Sequence, residues 1–390
     1  MRAYLDHAST SPLRPAGAAA LVEWLGAADP GRVHTEGRMA RAALEDARER
    51  LAVLFGTRPR QVILTSGATE SVHAAVFGAL AGVVGATGTA VRPRSREVEP
   101  RLVVPAVEHS CVRESSQRAG AVTWVGVDAE GSVDLDAIVE AIGAIGAGSA
   151  LVHCQWANHE VGTVQPVGEV VAACRERGVP VHVDAACAAG HVPVAFDDLG
   201  ADLMSISAHK MGGPRGVGAL LVRRGLRVAP LLVGGAQERA RRAGLEDVAG
   251  AVAWGAVADE LAGVAPHSEA QRAAAQTDRL RRAAVAVEGV VAYGPADPAT
   301  RLPHILCLGV EGVEPEAVLL GLDQAGVAAH SGSACATEEL EPSPVLAAMG
   351  AAAERSLRLS VGWSTTDEEV GMAAAALPEV IARLRALGGG

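Results

Sequence analysis

The stretch Leu203-Met204-Ser205-Ile206-Ser207-Ala208-His209-Lys210 joins a short apolar run to the only lysine in a chain of 390 residues. An arginine-rich chain can give up lysine wherever only a positive charge is needed, because a guanidinium keeps its charge at least as well as an ammonium. Arginine cannot replace an amine that must lose its proton and attack a carbonyl carbon. Lys210 is therefore predicted to form a Schiff base; the alternative is a surface lysine without a function.

Short β-rich runs alternate with alanine-rich helical stretches on either side of this segment, which favours an α/β fold with a mostly parallel sheet covered on both faces. The expected strands are Val62–Leu64, Arg101–Val107, Ala150–Cys154, Pro180–Val183, Leu203–Ile206 and Val217–Val222, and the expected helices include Ala40–Leu54 and Val167–Arg177. Residues 15–250 are predicted to form a large domain. Residues 1–14 and 251–390 are predicted to form a smaller α+β domain, with a long helical stretch at 251–286, strands at 304–310, 326–330 and 356–361, and a closing helix at 367–387.

Composition excludes several classes of function. The net charge is −11 and no basic block occurs, which argues against direct binding to nucleic acid or to an anionic membrane. No run of 18 apolar residues suggests a membrane span, and residues 1–7 lack the apolar core of a signal peptide, so we expect a cytoplasmic protein. Residues 85–100 lack periodicity and are predicted to form an exposed loop.

The six cysteines show no C-x-x-C pair and no metal-ligand spacing, so we expect neither a disulfide framework nor a metal site. Cys111, Cys154, Cys174 and Cys307 are predicted to be buried apolar side chains. Cys335 differs because it lies in His330-Ser331-Gly332-Ser333-Ala334-Cys335, a small and polar stretch that favours a reachable thiol.

Two further features predict a ligand at the edge of the sheet. Thr65-Ser66-Gly67-Ala68-Thr69-Glu70-Ser71 follows a strand and begins a helix, so its free N–H groups suit a phosphate, although an ordinary N-cap has the same composition. Asp184 ends the run Val179–Val183, and the carboxyl end of a parallel strand is where open α/β folds bind ligands. A pyridinium nitrogen would supply the cation that a buried carboxylate needs; the alternative is a loop cap.

The order of phosphate turn, aspartate and S-x-H-K lysine is similar to that of fold type I pyridoxal-phosphate enzymes, and nearly the whole chain resembles the cysteine desulfurases of the class V aminotransferase family, specifically their group I branch. That resemblance implies a large domain with a mostly parallel seven-stranded sheet and a smaller C-terminal α+β domain. The matching motifs are Tyr4–Ala8, Thr65–Ser71, Glu108-His109, Ala157–Gly162, His182–Ala185, Ser205–Lys210, Gly213–Gly218, Ser331–Cys335 and Arg358–Ser360.

The resemblance also implies the role of each site residue. Lys210 would carry pyridoxal 5'-phosphate and later move a proton, and Cys335 would take sulfur from L-cysteine as a persulfide. Arg358, with Asn158, would bind the substrate. The remaining cofactor contacts would come from Ala68, Thr69, Ser207 and His209 at the phosphate, His109 on the ring face, and Asp184 at the ring nitrogen.

Three positions depart from the family pattern, and all three are expected near the cofactor. His159 and Cys187 replace an asparagine and a glutamine that normally donate hydrogen bonds to the phenolic oxygen of the ring. His159 retains a donor, whereas a thiol at 187 is a poor substitute. Leu245 replaces a threonine whose hydroxyl reaches the phosphate across the dimer interface. These three replacements are expected to change the affinity for the cofactor and the rate of turnover.

The sequence thus predicts a cytoplasmic, homodimeric cysteine desulfurase that releases alanine and passes sulfur to an acceptor protein. Two alternatives stay open: a cysteine or selenocysteine β-lyase that does not need Cys335, and a weakly active scaffold. The sequence does not identify the acceptor protein. The pathways that stay open are iron–sulfur assembly, tRNA thiolation, DNA sulfur modification and natural-product biosynthesis.

Overall fold

A computed structural model of the chain describes residues 2–83, 99–145, 150–263, 266–331, 342–354 and 356–388. The strands are β1 Ala3–Tyr4, β2 Val62–Thr65, β3 Arg101–Pro105, β4 Ala121–Val125, β5 Ala150–Gln155, β6 Val181–Asp184, β7 Leu203–Ser207, β8 Gly218–Val222, β9 Val290–Tyr293, β10 Ile305–Val310, β11 Val327–Ala328 and β12 Ser356–Ser360. The helices are α1 Pro15–Trp24, α2 Thr35–Leu54, α3 Ala68–Val83, α4 Ser110–Ala119, α5 Leu135–Ile145, α6 Val167–Arg177, α7 Phe196–Leu199, α8 Gln237–Ala240, α9 Val248–Gly263, α10 Pro266–Val285, α11 Pro315–Gln324, α12 Pro344–Ala348 and α13 Asp367–Gly388.

The main sheet has seven strands in the order β2-β8-β7-β6-β5-β3-β4. Its strands are parallel except β8, which runs antiparallel to both neighbours, β2 and β7. The carboxyl ends of β2, β3, β5, β6 and β7 therefore meet at one edge. This architecture confirms the predicted mostly parallel, seven-stranded sheet.

Alternation along the strands explains why both faces of this sheet are covered. Leu102 and Val104 of β3 pack on one face with α3 and α4, while Val103 packs on the other face with α2, α5 and α6. Successive side chains of a strand point to opposite faces, so a run that is apolar at every position needs helices on both.

A second core lies around the three-stranded sheet β12-β10-β9 and the short pair β1-β11. Helices α10, α11 and α13 supply its other apolar side chains. The predicted domain limits remain a prediction. Trp254, Val257 and Leu261 of α9 pack in the core of the main sheet, so by packing this helix goes with the larger unit.

Some boundaries differ from the sequence-based expectation. The long helical stretch at 251–286 is two helices, α9 and α10, and Pro266 begins the second, where a proline is well tolerated. The strand expected at 326–330 is confined to Val327–Ala328, and β1, β4 and β9 were not predicted. In β4, Thr123 interrupts the apolar residues. Most of the loop predicted at 85–100 lies outside the described residues.

No single helix in the described ranges is both long and apolar enough to cross a membrane.

Candidate active site

A cavity of about 540 Å³ opens at the carboxyl edge of the main sheet, where β2, β3, β5, β6 and β7 end. The loops after these strands carry most of the residues that sequence reasoning selected. The structure brings ten of them into the cavity wall: Ala68, Thr69, His109, His159, Asp184, Cys187, Ser207, His209, Lys210 and Arg358.

One end of the cavity is suited to an anion. Helix α3 begins at Ala68, and its first amide groups, which have no acceptor within the helix, face this end. The peptide of Ser66 donates to the Glu70 carboxylate at 2.8 Å, which closes the turn. A Cβ atom added to Gly218 would lie 2.6 Å from the Cα of Gly67, so the close approach of β8 to the turn requires a glycine at 218.

Side chains at the end of β7 and in the segment directly after it complete this end. The Ser207 hydroxyl is buried and has no hydrogen-bond partner among the described residues. Such a group is costly to bury alone, which indicates a ligand that bonds it. Burial, with the nearby charges of Lys210 and Arg215, lowers the pKa of His209 to about 4, so its ring is neutral near pH 7.

Asp184 is held rigidly at the centre of the edge. Its Oδ1 accepts hydrogen bonds from the Ser205 hydroxyl at 2.7 Å and from the Ala186 amide at 3.1 Å. The residue is 8% exposed. Both donors act on the same oxygen, so the carboxylate is oriented by its surroundings before any ligand binds.

His109 and His159 form a pair of rings above the edge. Each follows a neighbouring strand by four residues, since β3 ends at Pro105 and β5 at Gln155. The ring centroids are 5.0 Å apart at an interplanar angle of 65°. The His109 Nδ1 accepts the Cys111 amide at 3.2 Å, which leaves Nε2 as the protonated nitrogen. Burial lowers the pKa of both rings to about 3, so both are neutral.

Lys210 lies in a short 3-10 helix, His209–Met211, directly after β7. Its Nζ is 3.0 Å from the Cys187 sulfur. Cys187 is 7% exposed, packs in the core of the main sheet and also lines the cavity, where its sulfur faces the lysine amine. Cys154, Cys174 and Cys307 are buried as predicted, and Cys111 is partly exposed.

Arg358 of β12 already has an acidic partner. Its guanidinium donates to the Asp6 carboxylate at 3.0 Å, to the Ser9 hydroxyl at 2.6 Å and to the His159 carbonyl at 2.9 Å. Its Nε is buried and finds no acceptor within the described ranges. A substrate carboxylate binding here would therefore share the arginine with Asp6 or displace it.

Asn158 does not line the cavity. Its amide donates to the Val107 carbonyl at 3.1 Å, and its oxygen accepts the amides of Glu160 at 2.8 Å and Val161 at 2.9 Å. These bonds fold the turn that presents His159. The structure therefore assigns Asn158 to the support of the turn, and no described contact supports its predicted role in substrate binding.

Glu160 connects the turn of His159 to a later part of the chain. Its Oε2 accepts the Ser343 hydroxyl at 2.5 Å, and its Oε1 is 3.4 Å from the His159 Nε2. Burial raises the pKa of Glu160 to about 7, although Ser343 and Arg358 act in the opposite direction. Ser343 is the N-cap of α12 and follows closely on the Cys335 segment in sequence.

Cys335 itself lies outside the described residues. The chain before it is tied to the site, because His330 and Arg358 exchange backbone hydrogen bonds of 3.2 and 2.7 Å. The role of Cys335 therefore stays a prediction.

Sequence reasoning missed the contribution of the N-terminal segment. Ala8, Ser9 and Thr10 line the cavity, and the Thr10 hydroxyl is buried without a partner in the described part of the chain. The motif Tyr4–Ala8 was the available signal, but it gave no role to the residues after it. Near the end of the cavity that is suited to an anion, Arg242 pairs with Glu70 at 2.9 Å, while Leu245 is 65% exposed. No group of three or more potential metal ligands occurs among the described residues.

Comparison with known proteins identifies the family. Residues 3–372 match the model of the aminotransferase class-V family. The chain is 40% identical to the IscS-like cysteine desulfurase of Mycobacterium tuberculosis, over 98% of this chain and 97% of that protein. The chain belongs to the class-V aminotransferase family.

Solved structures agree with this assignment. A NifS-like protein superimposes with a TM-score of 0.86 at 26% identity, covering 98% of this chain and 100% of that one. A structure of SspA in complex with cysteine superimposes with a TM-score of 0.77 at 26% identity, covering 93% of this chain and 100% of the other.

Proposed function

We propose that this class-V aminotransferase family member is a pyridoxal-phosphate-dependent cysteine desulfurase, which converts L-cysteine to L-alanine and keeps the sulfur as a persulfide on Cys335. One observation carries the proposal. The Lys210 amine, the Asp184 carboxylate and the buried Ser207 hydroxyl lie in one cavity at the carboxyl edge of the sheet. The similarity to proteins named cysteine desulfurases supports the substrate.

The cavity residues fit the cofactor. The amides of Ala68 and Thr69, with Ser207 and His209, would hold its phosphate, and Asp184 would pair with its ring nitrogen. The unpartnered Ser207 hydroxyl is the observation that favours this fit. When bound, pyridoxal 5'-phosphate supplies an aldehyde for the amines of Lys210 and the substrate and a ring that withdraws electrons from the substrate.

The remaining side chains act on L-cysteine. Arg358 binds the substrate carboxylate, with its buried Nε available as a donor and Asp6 as the partner to be exchanged. Lys210 accepts and returns protons at its Nζ. The Cys335 thiolate attacks the substrate sulfur; the S–S bond forms as the C–S bond breaks, and the electron pair left on carbon takes a proton to give alanine.

The proposed partners are a sulfur-acceptor protein and a second copy of the chain. Four large exposed apolar side chains lie in residues 231–245, among them Val233 at 78% and Leu245 at 65%, and four more lie in residues 22–39. Exposed apolar surface of this kind is suited to burial against another subunit. A cytoplasmic location also belongs to the proposal.

The test is a single turnover with L-cysteine and no reductant, read by alanine release and by mass spectrometry of the Cys335 peptide. Wild-type protein is expected to make alanine and gain one sulfur atom on Cys335. Cys335→Ala is expected to bind the cofactor normally and make no alanine. Cys174→Ala is the matched control, because Cys174 lies in α6, away from the cavity.

Other outcomes would point elsewhere. Consumption of L-cysteine by Cys335→Ala, with release of free sulfide, pyruvate and ammonia in place of alanine, would identify a β-lyase. Absence of alanine from the wild-type protein with cofactor bound would indicate a scaffold.

A further inference from the structure

The turn that carries Lys210 is held from outside at four successive carbonyl groups. Its first and last carbonyls, of His209 and Gly212, accept the backbone amides of Ser11 and Arg14, each at 2.9 Å. The Lys210 carbonyl accepts the Nε2 of His191 at 3.1 Å, and the Met211 carbonyl accepts the Nε of Arg14 at 3.1 Å. A turn this short cannot supply these donors itself, since Gly212 has a φ of 85° and ends it.

The His191 contact is the one that reaches Lys210 directly. A carbonyl oxygen can only accept, so Nε2 of His191 must carry the proton. Burial lowers the pKa of His191 to about 4, which keeps the ring neutral and this nitrogen a donor near pH 7. His191 is not among the residues that line the cavity, and no sequence motif predicted this bond.

A second histidine fixes the ring of His191. His304 lies 3.6 Å away, centroid to centroid, at an interplanar angle of 15°, so the two rings are stacked. His304 is 2% exposed and precedes β10 of the smaller sheet. The stack therefore links the Lys210 turn to the second core of the molecule.

Arg14 donates to the next carbonyl, that of Met211, and is itself held in place by two carboxylates. Its side chain is 3% exposed and forms ion pairs with Glu260 of α9 at 2.8 Å and Glu269 of α10 at 2.7 Å. Both partners fix the guanidinium beside the turn, so the peptide after Lys210 is constrained from a second direction.

We propose that His191 is a positioning residue for Lys210, holding the lysine peptide through its carbonyl oxygen while the stacked His304 ring fixes the direction of the donor. The inference rests on the proposed function, in which Lys210 carries the cofactor and then moves a proton. Both tasks require the Lys210 amine at a defined place, and that place depends on a fixed position of the Lys210 Cα. Small misplacements of a reacting group lower the rate by large factors.

Two substitutions separate the hydrogen bond from the stack. His191→Phe keeps an aromatic ring against His304 and loses the donor, whereas His191→Gln keeps an N–H donor and loses the ring. The readouts on cofactor-loaded protein are the pH midpoint of the visible absorbance of lysine-bound cofactor, the rate at which L-cysteine displaces Lys210, and the thermal midpoint. His153→Phe is the control, because His153 is a buried histidine that does not line the cavity.

His191→Phe is expected to slow displacement by about tenfold or more and to shift the absorbance midpoint, with most of the effect recovered in His191→Gln. Wild-type values in His191→Phe, or equal losses in both variants, would overturn the inference. If His191→Phe does not fold, His191→Leu takes its place because it also lacks the donor, and values equal to those of His191→Gln would then overturn the inference. A Lys210→Arg protein that retains the lysine-bound absorbance would contradict the proposed function itself.

Discussion

Two pairs of histidine rings in this molecule have nearly the same geometry and different surroundings. The cavity pair, His109 and His159, has centroids 5.0 Å apart at 65°; the core pair, His153 and His182, has centroids 5.1 Å apart at 71°. All four rings are kept neutral by burial. Only the first pair lines the cavity.

The difference follows from position along the strands. His153 and His182 are register partners within β5 and β6, and their Nδ1 atoms are 3.0 Å apart, so one ring donates to the other. His109 and His159 lie four residues beyond the ends of β3 and β5. A ring inside a strand is enclosed by helices, whereas a ring beyond the carboxyl end reaches the ligand edge. Ring geometry and a lowered pKa therefore do not identify a functional pair.

The largest expected effect comes from removing a ring of the cavity pair. His109→Ala is expected to lower kcat/KM for L-cysteine by about 10²-fold or more, because His109 lines the cavity in which the proposed cofactor would contact its ring. The free energy of unfolding of the cofactor-free protein is expected to change much less. Alanine release and urea unfolding measure the two quantities. A purely structural His109 would reverse this pattern.

A smaller effect, on stability alone, is expected from the core pair. His182→Phe leaves the His153 Nδ1 without its partner and is expected to cost about 1–3 kcal/mol of unfolding free energy. The double variant His153→Leu/His182→Phe removes both polar groups and should recover part of that loss. Urea unfolding of the single and double variants gives the coupling energy. Turnover per folded molecule should stay at the wild-type value, and a large loss of turnover would show that the core pair acts on the site.

The last effect is the pH dependence of stability. The folded-state pKa of His182 is lowered by burial to about 3, below the ordinary value of 6.5. The unfolded chain therefore takes up this proton first as pH falls, so unfolding free energy is lost below about pH 6.5, by roughly 1 kcal/mol per pH unit for each such histidine. The double core variant should show a shallower loss between pH 6.5 and 5. Equal slopes for wild type and variant would mean that the core pair does not titrate in this range.

Much of the site was predictable because its residues lie at the ends of regular elements. Asp184 ends an apolar run, Ser207 and Lys210 follow another, and Thr65–Ser71 joins a strand to a helix. In a parallel sheet the carboxyl ends of the strands meet at one edge, so residues far apart in sequence converge without any knowledge of the packing. The resemblance to the desulfurases then supplied their roles.

Contacts between distant segments were not predictable. The sequence predicted that Arg358 binds an anion. It did not predict the partner Asp6, which is 352 residues away and already accepts a hydrogen bond from the guanidinium. The resemblance implied that Asn158 binds the substrate, whereas its side chain is bonded to the Val107 carbonyl and to the amides of Glu160 and Val161. Pairings of this kind depend on the relative placement of two cores, which no local pattern encodes.

The sequence by itself determined the fold class, the sheet edge and the single lysine amine that can form a Schiff base, since strand periodicity and the chemistry of lysine are local properties. Tertiary structure alone decided which pair of histidines faces the cavity, and which donors hold the Lys210 carbonyl and its neighbours. The reason is physical: a side chain's chemistry is fixed by its own atoms, whereas its burial, its hydrogen-bond partners and hence its protonation depend on residues brought beside it only by folding.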